Sequence, residues 1–385
     1  MRTLGPSGTA ETSYSLFQQL ALITSGPVCH NLRHLTWTFP FRWDRMRLFL
    51  SSRLVSVIIR ELPRHGSTTS RATPEIHLIP TTHLEELRLE GGILPPTHIH
   101  PALSEVVQRL DPCFKRLSIK SPLTDAAWEH LASLPKLELL EVSDTPRTEI
   151  SKSMPHELIF PALKSMVVVV ADRYQGWPSL FSLLESSPLR EVAILGGHGT
   201  QCGDVPSQVT FAMLAAGLHQ RVEGLAITRF DLAHLTFLSH LGPFRSLKTL
   251  QCNPRCRGSE QCISTLTDSN IEQLASALPQ LVTLCLGHRC EYSLHQTTIK
   301  SMISLSTHCL SLETLYLPCD LRNIREDVKV ESGEPDPRLE IRSLCPLKAL
   351  LCRCAIMPPV GDFKARRMVA SALRHLFPLL ESIEG

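Results

Sequence analysis

The chain has 385 residues, of which 43% are apolar, 20% charged and 5% aromatic, and its 39 basic against 37 acidic side chains leave a formal charge of +2. Such an apolar share excludes wholesale disorder, and a charge so near zero argues against binding of a polyanion by the chain as a whole. The longest strictly apolar run is about six residues, Met166 to Ala171, where a membrane helix needs about twenty, so no membrane partner is expected.

Arg2, Glu11, Gln18 and Gln19 interrupt the first thirty residues in a way a signal peptide does not. Residues 1–31 therefore read as an N-terminal helical cap or remnant, with at most one helix over residues 13–24 ("SYSLFQQLALIT"). Thirteen cysteines are spread along the chain, an odd number and no disulfide scaffold. Reduced thiols in the cytoplasm or nucleus are the plain reading. Cys252, Cys285 and Cys352 fall in apolar slots, where a free cysteine acts as a small hydrophobe.

From Leu32 onward one phrase recurs: an apolar residue, two variable ones, an apolar one, a variable one and an apolar one. Its copies begin at Leu32, Leu54, Leu84, Phe114, Leu137, Leu163, Leu189, Val222, Leu247, Leu281, Leu312 and Leu347, and a clipped copy holds Leu380 and Ile383. Twelve steps from Leu32 to Leu380 average 29 residues, at the upper end of the leucine-rich repeat range. Helices fit between the phrases. Thr124 is placed to cap "DAAWEHLASL", Ser269 or Asp268 to cap "NIEQLASAL", and residues 297–308 and 363–376 read similarly. Pro135, Pro279 and Pro378 each stand where a helix must stop before the next phrase. The expected fold is an α/β leucine-rich repeat solenoid over residues 32–385. It comprises about thirteen irregular units, with parallel strands on a concave face, helices on a convex face, and a charged loop insertion at 325–340.

Side chains alternate along a strand, so the third and fifth positions of each phrase face away from the core. These are the candidate partner-binding residues: His34, Thr36, Glu86, Arg88, Arg116, Ser118, Glu141, Glu191, Thr249, Gln251, Thr283, Thr314 and Tyr316. The early ones are charged and the late ones are neutral and rich in hydroxyls. A wide face of this kind offers many weak contacts to a protein substrate.

Residue spacing argues against other chemistry. Cys252, Cys256 and Cys262, with His288 and Cys290, lack the C-x2-C spacing of a zinc knuckle. "LGGHGTQCG" at Leu195 to Gly203 places Cys202 where a dinucleotide fingerprint needs its third glycine. No P-loop, zincin or nucleophile-elbow motif is present, so no metal, cofactor or catalytic residue is assigned and the chain is not read as an enzyme. Residues 31–71 hold eight arginines against Asp44 and Glu61, interleaved with Trp37, Phe39, Phe41, Trp43 and Phe49. That pattern keeps single-stranded nucleic acid as an alternative partner; the competing reading is an end cap whose aromatics are covered by arginine stems.

Two longer stretches are more specific: "GSEQCISTLTDSNIEQLASALPQLVTLCLG" (Gly258 to Gly287) and "TTIKSMISLSTHCLSLETL" (Thr297 to Leu315). With "NLRHLTW", "FLSSRLVSVII", "LTDAAWEHLASLPKLELLEV", "DPR" (Asp336 to Arg338) and the terminal "FPLLESIEG", they resemble fungal F-box proteins with C-terminal leucine-rich repeats, over about residues 25–385. The resemblance implies substrate recognition in a Skp-cullin-F-box ubiquitin ligase, where the F-box docks on the Skp adaptor and the repeats hold the substrate. One helix before Leu32 is too little for an F-box, so a Skp-type adaptor is expected as a partner only if an F-box lies upstream. The alternative is a repeat scaffold with no ubiquitin role.

Overall fold

A computed structural model describes residues 19, 23–24, 26–38, 46–60, 76–90, 101–119, 123–143, 160–170, 177–196, 205–228, 230, 235–253, 266–287, 297–322, 345–351 and 362–384. The chain forms two compact units. The first is Met1–Val169 with Ser182–Pro188, and the second is Val170–Phe181 with Leu189–Gly385.

In the first unit β1 (His34–Thr38), β2 (Ser56–Arg60), β3 (Glu86–Glu90), β4 (Arg116–Ile119), β5 (Leu139–Ser143) and β6 (Ser165–Val170) are accompanied by α1 (Pro101–Gln108) and α2 (Asp125–Ser133). The short helix α3 (Trp177–Leu183) comes next in the chain. In the second unit the strands are β7 (Glu191–Gly196), β8 (Gly224–Thr228), β9 (Thr249–Asn253), β10 (Thr283–Leu286), β11 (Thr314–Tyr316), β12 (Ala349–Leu351) and β13 (Ser382–Glu384). Its helices are α4 (Val205–Ala215), α5 (Asp268–Ala277), α6 (Ile299–His308) and α7 (Phe363–Leu376).

Within each unit successive strands pair in parallel, in chain order, and the register is the phrase itself. The fourth positions face one another as Leu35, Val57, Leu87, Leu117, Leu140 and Met166 in the first unit. In the second they run Val192, Leu225, Leu250, Leu284, Leu315, Leu350 and Ile383. A slip of one residue would turn each of these apolar side chains out of the core. The first positions from Leu54 to Leu347 and the sixth from Ile59 to Leu317 are also buried, so within each unit these phrases put three side chains inward and the core continues from repeat to repeat. The fold is an α/β leucine-rich repeat solenoid.

The strand entry repeats too. Within each unit the carbonyls of most second positions accept hydrogen bonds from the second and third N–H groups of the next phrase, as Glu85 does from Lys115 and Arg116, both at 2.9 Å. Several of these second positions are charged and pair across strands. Lys115 pairs with Glu85 at 2.9 Å and Lys164 with Glu138 at 2.8 Å; Glu223 takes Arg190 at 3.2 Å and Lys248 at 2.8 Å; Lys348 pairs with Glu313 at 3.3 Å. Just before several phrases the chain makes a tight turn, closed by bonds such as Phe114 N–H to Asp111 O (2.9 Å) and Leu380 N–H to Phe377 O (3.1 Å). Pro112 and Pro378 stand second in these turns, where their fixed φ suits the bend.

Thr124 caps α2 as expected, its side chain accepting from Ala127 N–H. The cap of α5 is a correction: it is Thr267, in a reciprocal box with Asn270, rather than Ser269 or Asp268. Asp268 instead serves the next helix. Its carboxylate accepts the N–H of Thr298 (2.7 Å), the hydroxyl of Thr298 (2.8 Å), the N–H of Ser301 (3.2 Å) and the hydroxyl of Ser301. Donors at the start of α6 are thereby met by an anion from the preceding repeat. Some repeats lack an α-helix among their described residues and use 3-10 turns, at Arg47–Phe49 and Leu235–Leu241. Their phrases start only 22 and 25 residues apart. Spacing alone does not select the turn: the unit starting at Phe114 spans 23 residues and holds α2, and the 30-residue unit starting at Leu54 holds a 3-10 turn at Ile76–Leu78.

Candidate strand-face recognition site

The strand face opposite the core carries the third and fifth positions as adjacent rows, and the two units equip these rows differently. In the first unit His34, Ser56, Glu86 and Arg116 follow one another across β1 to β4, with Thr36, Ile58, Arg88, Ser118 and Glu141 beside them. Most of the charge here is internally engaged. Glu86 accepts from the Ser56 hydroxyl (2.8 Å) and from Arg88 Nε (2.7 Å), Glu141 accepts from the Ser118 hydroxyl (2.6 Å), and Arg60 pairs with Glu90 (2.9 Å). Ser118 is 3% exposed, so this candidate contact residue acts as a brace for Glu141. His34, Thr36 and Arg116 are exposed, and their side chains have no hydrogen bond or ion pair among the described residues.

In the second unit the third row runs Glu191, Gly224, Thr249, Thr283, Thr314 and Ala349, and the fifth runs Ala193, Ala226, Gln251, Cys285 and Tyr316. Glu191 is exposed; Thr249, Gln251, Thr283, Thr314 and Tyr316 are half-buried. The side chains of Glu191, Thr249, Gln251, Thr283 and Thr314 have no hydrogen bond or ion pair among the described residues. A Cβ at Gly224 would lie 3.4 Å from Glu191 Cγ, so the stem of Glu191 rests against bare backbone.

Cys285 corrects the expectation of an apolar slot. It takes the fifth position, between Gln251 and Tyr316, on the face opposite the core, although it is only 7% exposed. Its sulfur lies 3.7 Å from Asn253 Oδ1, and burial raises its pKa to about 11. Cys252, in the core, is pushed further up by burial and, secondarily, by the nearby Cys285. Burial likewise raises Cys309 to about 12 and Cys345 to about 11. Thiols of this kind are packing groups, since reactivity requires the thiolate.

Among the described residues no three of His, Cys, Asp and Glu converge in a way that could hold a metal ion, and no helix is long and apolar enough to cross a membrane. Cys256, Cys262, His288, Cys290, Cys352 and the glycine-rich segment after Gly196 lie outside the described residues, as do most of 1–31, residues 325–340, Phe39, Phe41 and Trp43. From the basic-aromatic stretch, Trp37 and Phe49 face each other at 5.5 Å, with Phe49 buried. Arg60 is tied to Glu90, and Arg53 donates to Asn31 Oδ1 at 2.9 Å.

No protein-family model matches the chain, and no curated protein does. Among solved structures it is similar to an internalin (inlF) from Listeria monocytogenes str. 4b F2365, with a TM-score of 0.39 and 14% identity, over 90% of this chain and 89% of that one.

Three features of the face escaped sequence reasoning. Ser56 holds the third position of its own phrase, and the alternation rule reaches it directly. Arg60 and Glu90 hold a seventh position, one beyond the six-residue phrase, and they pair only because β2 and β3 run on in register. The division between engaged and unengaged side chains depends on cross-strand neighbours some 30 residues apart, which no local pattern in one repeat carries.

Proposed function

We propose that this chain is a non-catalytic protein-recognition module that takes its partner on the strand face. The observation that carries the reading is the set of polar side chains there with no hydrogen bond or ion pair among the described residues: His34, Thr36 and Arg116 in the first unit, Glu191, Thr249, Gln251, Thr283 and Thr314 in the second. They stand on strands whose backbone groups are bonded in register, so a partner would meet them without ordering the chain first. Mixed charge and hydroxyls suit a protein surface better than a phosphate backbone, which calls for clustered cations.

In its finer form the proposal is the substrate-binding repeat domain of an F-box protein in a Skp-cullin-F-box ubiquitin ligase. Its support is the resemblance over Gly258 to Gly287 and Thr297 to Leu315. The cytoplasm or nucleus is the proposed compartment, supported by thiols packed as core groups at Cys252, Cys309 and Cys345. The test is retention of a purified Skp-type adaptor by the chain and by its gene product extended upstream. Retention by either supports the ligase role. Retention by neither overturns it and leaves a repeat scaffold.

A further inference from the structure

The strand face of the second unit has one property that narrows its partner. Among its described residues the face of β7 to β11 holds no lysine or arginine, and its one charged side chain, Glu191, is exposed and has no ion pair. The neighbouring strand offers Glu191 nothing to pair with. Opposite it stands Gly224, so close that a Cβ there would lie 3.4 Å from Glu191 Cγ, and two residues on comes Ala226. The carboxylate therefore borders a floor of backbone and methyl groups. The aliphatic stem of an arginine or lysine can lie along such a floor while its cationic head reaches the carboxylate.

Beyond Gly224 the same row continues as Thr249, Thr283 and Thr314, one per strand and about 4.8 Å apart. Their hydroxyls make no hydrogen bond among the described residues, and each can donate and accept. A ladder of neutral groups of both kinds matches the alternating N–H and C=O groups of an extended peptide laid across the strands. Nucleic acid fits poorly, because the unpaired charge has the wrong sign.

Resting on the protein-recognition reading above, we infer that the segment bound here is an extended, otherwise uncharged stretch of protein with one arginine or lysine that pairs with Glu191. The partner's basic residue supplies orientation, and the threonine row supplies contacts that do not depend on sequence.

The test is selection of a phage-displayed random dodecapeptide library on the full chain, with the selected peptides resynthesised and titrated against variants. Glu191→Gln removes the charge at constant shape, Thr283→Arg obstructs the row, and Gln273→Arg on the exposed surface of α5 is the control. Thermal melts check folding, and Thr249→Arg replaces Thr283→Arg if the latter melts early. The expected result is a set enriched in arginine or lysine. Its affinity falls about tenfold with Glu191→Gln, is lost with Thr283→Arg and is unchanged with Gln273→Arg. Peptides blocked by Thr283→Arg but indifferent to Glu191→Gln overturn this inference and leave strand-face recognition standing. Peptides indifferent to both, or no selected peptide, overturn both.

Discussion

Asp268 belongs to α5, yet its carboxylate serves α6. It accepts from two backbone N–H groups and two hydroxyls of the next repeat, and one of those hydroxyls is on the fully buried Ser301. Ser301 N–H keeps a bond to the Thr298 carbonyl (3.1 Å), but Asp268→Ala would take the carboxylate from the other three donors, so equilibrium urea unfolding should show a loss of about 2–3 kcal/mol. Trp128 is the opposite case: its indole N–H is buried and has no hydrogen-bond partner among the described residues. Trp128→Phe removes an unsatisfied donor along with some volume. The expected loss is about 1 kcal/mol or less, well under the roughly 3–5 kcal/mol of truncating a core aromatic to alanine. The buried thiols set a pH dependence. Unfolded cysteines ionise near pH ~8.5, whereas folded Cys285 and Cys345 hold their protons to about 11 and Cys309 to about 12. Stability is therefore full below the unfolded value and falls as pH rises past it, because the unfolded state sheds protons first. Melting temperature measured from pH 7 to 10 should decline over the upper part of that range, and native Cys309 should resist a maleimide at pH 8.

At the scale of elements, one phrase makes one strand, and its fourth position holds the register. Leu250 lies between Leu225 and Leu284 with no exposure, so Leu250→Ala should cost about 2–5 kcal/mol in urea unfolding. The charge ladder at the second positions contributes far less, because its side chains are largely in water. The hydrogen bond from Lys248, followed by the charges of Lys248 and Arg190, lowers the pKa of Glu223. That small contribution is present above the ordinary glutamate range and is lost as pH falls through the lowered value. The strands were legible in sequence because burial imposes a fixed alternation on every copy. The helix between strands was only partly legible. α2, α6 and α7 follow their apolar period, whereas Leu235–Leu241 shows an apolar pattern and forms a 3-10 turn; spacing does not decide this, since the 23-residue unit starting at Phe114 holds α2. The cap of α5 was not legible because its choice is non-local. Thr267, Asp268 and Ser269 all have capping side chains, and the choice among them is made by α6 in the next repeat.

At the scale of the whole molecule, two in-register arrays present strand faces of different character. The first carries charges mostly tied to one another, and among the described residues of β7 to β11 the second carries hydroxyls, an amide and one unpaired carboxylate. The contrast between charged early repeats and neutral late ones was visible in the sequence. Which charges are already engaged was not, since that follows from cross-strand distances. The most direct measurement is photo-crosslinking in cells, with a photoreactive amino acid in place of Thr283 on the strand face or Gln273 on the exposed surface of α5. The account predicts protein adducts from position 283 and none from position 273. Adducts from position 273 alone would contradict it.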